Sequence, residues 1–175
     1  QNLERAETED NEARKQALMN IAIVGGGPSG VEIAGVLAEM KQTILPRDYP
    51  DLDTSCMHIY LINATPRLLG AMSERSSREA ERALKELGVE VMTNCMVTDY
   101  VDKELVLKDG QRISAETVIW VSGIKANNID GIPAESIGHA GRILVDRFNR
   151  VKGLKDVYAI GDQCIVEGDE AYPYG

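Results

Sequence analysis

The chain has 175 residues, 43% of them hydrophobic, and a formal charge of −9 from 28 acidic against 19 basic side chains. That length holds one full domain, or one domain and part of a second, and the composition suffices for a sizeable core. The negative charge argues against nucleic acid and against unaided binding to anionic lipid, and no apolar run is long enough to cross a membrane. Cys56, Cys95 and Cys164 are widely spaced, with no C-x-x-C pair, which fits a reducing compartment and indicates neither a disulfide framework nor a zinc site. His58 and His139 stand apart from any cluster at ligand spacing, so no metal is expected. The chain begins at Gln1 rather than Met and is expected to be a piece of a longer protein.

Residues 1–20 are charged but patterned. Leu3 and Ala6 suit one short helix, and Asp10 is placed to cap a second with Glu12 in its first turn. Residues 21–24, IAIV, are apolar and rich in β-branching, as a strand buried on both faces requires. Gly25, Gly27 and Gly30 follow at G-x-G-x-x-G spacing. The first permits a sharp turn, the second lets backbone approach a diphosphate, and the third lets the next helix pack closely on the strand. Ile33, Val36, Leu37 and Met40 then repeat at helical spacing and are expected to form its apolar face. The unpaired N–H groups and dipole at that helix's start attract phosphate, and strand, turn and helix in this order favour dinucleotide binding over a merely structural turn. Glu32, two residues past the last glycine, reads equally as an exposed helix carboxylate or as a group at the mouth of the site.

Residues 43–57 hold two prolines and three aspartates and read as a surface excursion. Residues 58–62, HIYLI, form the next buried strand, ending at Asn63. The NAD fingerprint places an acid there, about 20 residues after the glycines, to bond the adenosine ribose. Here the residue is an amide and comes later, so it can still bond a diol but would not repel a 2′-phosphate. Arg67 is a nearby cation open to either cofactor, or an ordinary surface arginine. Ser73 is placed to cap a helix whose apolar face is Ala80, Ala83, Leu84 and Leu87, with Gly88 just past its end. Val89 and Val91 open a third parallel strand, which completes one mononucleotide-binding half.

After Cys95 the pattern becomes short strands at 97–101, 105–107 and 112–113, with Asp109-Gly110 as a tight turn, the signature of an antiparallel meander. Residues 117–121, TVIWV, return to the parallel sheet. Trp120 is expected in the core, and Gly123 beyond the strand is the better site candidate. The remainder is glycine-punctuated, with strands expected at 143–145 and 157–160, the second ended by Gly161-Asp162. This tail looks like the start of a fold left unfinished at Tyr172 to Gly175, and the apolar strand at 157–160 is expected to lack partners and to invite association.

The segments GGGPSGVEIA, INATPRLL, VIWVSGIKAN and RILVDRFNRVKGLKDVYAIGDQC, in this order, resemble the flavoproteins with two dinucleotide domains, and most of all the type II NADH dehydrogenases, the NADH:quinone oxidoreductases. The resemblance implies an α/β fold: a Rossmann-like parallel sheet with helices and an antiparallel β-meander insert, plus a C-terminal piece of a split FAD domain. Residues 7–123 would be the NAD(H)-binding domain and 124–175 the returning, incomplete segment of the FAD domain. Gly25, Gly26, Gly27, Pro28, Ser29 and Gly30 would hold NADH, with Asn63 at the ribose and Gly123 against the nicotinamide. Glu32 would act between nicotinamide and flavin, and Gly161 and Asp162 would contact FAD. The implied reaction passes hydride from NADH to FAD and electrons to a quinone, in a homo-dimer bound peripherally to the cytoplasmic side of the inner membrane through a segment outside this soluble piece. The piece alone is expected to be inactive. Rival readings are another FAD-dependent ferredoxin or disulfide reductase, or a non-catalytic NAD(H) sensor.

Overall fold

The computed structural model describes residues 1–123 and 125–168, so the carboxyl-terminal Tyr172 to Gly175 noted above lies outside the described residues. The chain divides into two compact units after Ser122. The first opens with two helices, α1 (Asn2–Glu7) and α2 (Glu12–Met19). The cap of α2 is Asn11, whose side chain accepts from the Arg14 amide, and not Asp10. Asn11 is the residue adjoining the first turn, and its Oδ1 reaches the N3 amide that a cap must satisfy.

The centre of the unit is a four-stranded parallel sheet in the order β3-β2-β1-β7. Its strands are β1 (Ile21–Val24), β2 (Ile59–Ile62), β3 (Glu90–Met92) and β7 (Thr117–Trp120). Alternation along β1 sends Ile23 into one core and Ala22 and Val24 into another. The first core is closed by α3 (Pro28–Thr43) and α5 (Glu74–Glu86). The second is closed by a separate antiparallel sheet of β4 (Val97–Val101), β5 (Glu104–Leu107) and β6 (Arg112–Ser114), which contributes Leu105, Leu107 and Ile113. With both faces covered, an uninterrupted apolar strand such as IAIV is the sequence the sheet demands. The two hairpins of this meander turn differently. Asp109-Gly110 lies in a three-residue loop with Gly110 at φ +89°, whereas Asp102 and Lys103 make the other turn at φ +51° and +67° without a glycine.

Two apolar helix faces and one connecting segment differ from expectation. On α3 the buried residues are Gly30, Ala34 and Ala38, one turn apart, while Val36 is 56% exposed. The helix approaches the sheet through its smallest side chains, so Ile33, Leu37 and Met40 are pushed to the half-buried flanks. On α5 the inward residues are Ser77 and Leu84, with Ala83 exposed. Gly88, at φ +83°, ends α5, where the Val89 amide bonds the Leu84 carbonyl and both side chains enter the core. Residues 43–57 are more than a surface excursion. They carry α4 (Leu45–Asp48) and a 3-10 turn, Thr54–Cys56, and bury Leu45, Leu52 and Met57 in the first core.

Glu116 ties the unit's periphery together, with its carboxylate bonded to Lys103 and, at 3.1 Å, to Arg5. The Lys103 ammonium first, and Arg5 with it, hold that carboxyl below the usual glutamate range.

The second unit has a two-stranded parallel sheet, β8 (Ile143–Val145) with β9 (Cys164–Val166), over a small core of Ile143, Val145, Val151 and Cys164. Burial pushes the Cys164 thiol upward. Residues 157–160 do not form the expected strand. They meet residues 149–151 at an isolated bridge, and Tyr158 and Ile160 are 58% and 73% exposed. The unit's core is too small to cover them.

Candidate functional site

The loop between β1 and α3 is shaped by three glycines in three different ways. Gly25 sits at φ +124°, and a Cβ there would lie 2.8 Å from Ser122 Cβ and 3.0 Å from the Val121 carbonyl carbon. Gly30 is the tightest contact, since its Cβ would fall 1.8 Å from the Gly25 carbonyl oxygen. Gly27 is the reverse case, with nothing within 4 Å of an added Cβ. The turn and the close helix packing predicted by the spacing are present, and Gly27 leaves room for an approach from outside.

The amides of this loop divide into two sets. Gly25 N–H donates to the Ile62 carbonyl (2.8 Å) and Gly26 N–H to Asn63 Oδ1 (3.1 Å). The amides of Gly27, Ser29 and Gly30 have no recorded partner among the described residues, and Pro28 at the first helical position has no N–H to satisfy. Three amides at the positive end of a 16-residue helix are therefore left without a partner among the described residues, with open space beside Gly27. Pro28 and Ser29 are exposed on the first turn of α3, and Glu32 is exposed just after it.

Beside the loop lies a cavity of about 250 Å³, lined among others by Gly25, Asn63, Cys95, Met96, Trp120 and Ser122. Val24 is paired in register with Ile62 on one side and Trp120 on the other, so the cavity opens off the carboxyl ends of three adjacent strands. That is where open α/β sheets take their ligands. Trp120 is not the core residue expected. It is 57% exposed, with Nε1 donating to the Ser122 carbonyl (2.9 Å), because β7 ends here and its last side chain passes the rim of the sheet.

The other predicted residues fall as follows. Asn63 ends β2 with its carboxamide turned toward the glycine loop and its own turn, bonding Gly26, Thr65 and Arg67. Arg67 donates to the Gly70 carbonyl at 2.9 Å. Gly123 has φ +75° and open space around it, as has Gly161 at φ +68° in the second unit, where Asp162 is exposed. Two residues that sequence reasoning passed over take part in shaping the loop. The Leu69 amide, in a left-handed backbone at φ +51°, bonds the Gly26 carbonyl (2.7 Å), and Leu68 packs against Gly26. A pair of leucines carries no local sign of either role.

The chain matches the family model described as pyridine nucleotide-disulphide oxidoreductase over residues 2–172. It is 31% identical over 173 residues to the type II NADH:quinone oxidoreductase Ndh of Mycobacterium tuberculosis, covering 94% of this chain and 37% of that protein. It is 33% identical over 148 residues to the type II NADH:quinone oxidoreductase of Haemophilus influenzae, covering 82% and 33%. Among solved structures, NDH2 from Plasmodium falciparum in complex with NADH superposes with a TM-score of 0.81 at 25% identity, covering 94% of this chain and 36% of that one. The chain thus spans about a third of the length of these relatives.

Proposed function

The chain belongs to the pyridine nucleotide-disulphide oxidoreductases, and from that premise we propose that residues 7–123 form the NAD(H)-binding domain of a type II NADH:quinone oxidoreductase, with 124–175 a returning segment of its FAD domain. The observation that carries the reading is the set of open amides at Gly27, Ser29 and Gly30 beside a cavity at the carboxyl ends of the sheet. The names borne by the relatives in M. tuberculosis and H. influenzae supply the substrate pair.

In this reading those amides and the helix dipole hold the diphosphate of NADH, and Gly25 shapes the turn that presents them. Glu32, exposed just past the first turn of α3, faces the nicotinamide end, and Gly123 allows backbone to approach the ring. Gly161, left-handed and unobstructed, together with the exposed Asp162, fits a backbone that must pass close to FAD. The flavin, when bound, supplies two-electron acceptor chemistry. The electrons go on to a quinone. The whole protein is then a homo-dimer held peripherally at the cytoplasmic face of the inner membrane by a segment outside this chain. Among the described residues no helix is long and apolar enough to cross a membrane.

Trp120 is the chain's one tryptophan and lies on the rim of the cavity. Its emission overlaps nicotinamide absorption, so titration with NADH is expected to quench it saturably, and excess ADP should reverse the quenching. A linear response with no saturation, unaffected by ADP, would remove dinucleotide binding from this unit.

A further inference from the structure

We propose that Asn63 is a positioning residue: its carboxamide, with the Leu69 amide, clamps the peptide groups around Gly26 and so aims the open amides. The inference rests on the dinucleotide reading above and assigns this side chain a different task from the one its place in the fingerprint suggests.

The argument begins with planarity. In a trans peptide the carbonyl oxygen and the N–H point in opposite directions, so fixing one aims the other. Asn63 Oδ1 draws the Gly26 N–H toward the end of β2 (3.1 Å). The oxygen of that same peptide belongs to Gly25 and is thereby turned the other way, toward α3. There it meets the backbone of Gly30, where a Cβ would lie 1.8 Å away. The next peptide is fixed from its oxygen, because the Leu69 N–H donates to the Gly26 carbonyl (2.7 Å). Its N–H, that of Gly27, is therefore aimed outward. Leu68 Cδ2 and Asn63 Cγ stand 2.6 Å and 2.7 Å from where a Gly26 Cβ would be, so any side chain at this position would displace Leu68 and the Asn63 carboxamide. The Leu69 backbone at φ +51° is a conformation that persists only where its surroundings hold it.

Asn63 has no N–H donor left for a ribose, and of its oxygen only the second lone pair remains. Its Nδ2 faces the Thr65 carbonyl (3.1 Å), Thr65 Oγ1 (2.7 Å) and the Arg67 carbonyl (3.0 Å). Two of these groups only accept, so the NH2 must point at them and Oδ1 at Gly26. Its own backbone is held by bonds to Met92 and Cys95. A carboxylate here would set an oxygen against two carbonyls. The acid of the usual fingerprint would therefore be repelled by this turn as it stands, which is held by an amide instead.

The test compares NADH and NADPH binding to the chain and to the neutral variants Asn63→Leu and Asn63→Ala, together with hydrogen exchange at the Gly26 amide of the unsubstituted chain. Both substitutions are expected to weaken the two nucleotides together, by about tenfold, with the NADH:NADPH ratio unchanged. The Gly26 amide should exchange slowly in the nucleotide-free chain. A change confined to one nucleotide, or no change in either, would overturn the proposal. If the variants do not fold, the Gly26 amide still decides, since exchange as fast as that of the open Gly27 amide would show that no clamp exists. Failure of the unsubstituted chain to bind either nucleotide would count against the dinucleotide reading itself, with the clamp still judged from Gly26.

Discussion

Gly30→Ala is expected to abolish measurable NADH binding and to destabilise the first unit, whereas Gly27→Ala should weaken binding with little change in Tm. The contrast follows from what each new methyl group would meet. At Gly30 it would lie 1.8 Å from a backbone oxygen that cannot rotate away, so helix α3 must lift from β1 or the loop must open. Overpacking against a fixed neighbour costs about 1–3 kcal/mol. Either movement also disperses the amides that define the site. At Gly27 the methyl would enter open space, and the backbone at φ −76° suits alanine. The folded chain therefore tolerates it, but the surface a diphosphate must approach is thickened. Calorimetric melting and NADH titration of the two variants check this. Equal loss of stability in both, or intact binding in Gly30→Ala, would contradict it.

Leu105→Ala is expected to cost about 2–5 kcal/mol, the range for a leucine removed from a closed core, and to lower Tm by on the order of 10 °C. Leu105 is fully buried at the centre of the meander, packed with Ala22, Val24 and Ile62 on the underside of the parallel sheet. The meander stands where a second layer of helix would otherwise lie, so its core residues bear on β1 as directly as those under α3 do. A loss below about 1 kcal/mol in denaturant melts would mean that the antiparallel sheet is a loosely attached insert.

Much of this architecture was legible because it depends on short-range chemistry. The IAIV strand, the glycine spacing, the Ser73 cap and the Gly88 stop each satisfy a local requirement, and each is found in place. The buried face of α3 was not legible, because hydrophobic periodicity favours large residues while close packing of helix on sheet selects Gly30, Ala34 and Ala38. Trp120 was misjudged for a related reason: its strand ends at that residue, and composition does not reveal where a strand stops. Residues 157–160 read as a strand without partners, and the exposure of Tyr158 and Ile160 agrees with that. Among the described residues, however, they make only an isolated bridge and no strand, because apolar character alone does not supply a sheet edge to pair with. At the site, the glycine roles were readable residue by residue. The engagement of Asn63 with Gly26, Thr65 and Arg67 was not, since it depends on a turn held by the left-handed Leu69.

The account depends most on the amides of Gly27, Ser29 and Gly30 receiving a diphosphate. Amide chemical-shift mapping of the 15N-labelled chain during titration with NADH tests this directly. Saturable downfield shifts at these three residues, with Gly25 and Gly26 little moved, are the predicted result. Saturable binding that leaves all three unperturbed, with shifts gathered elsewhere on the chain, would contradict it.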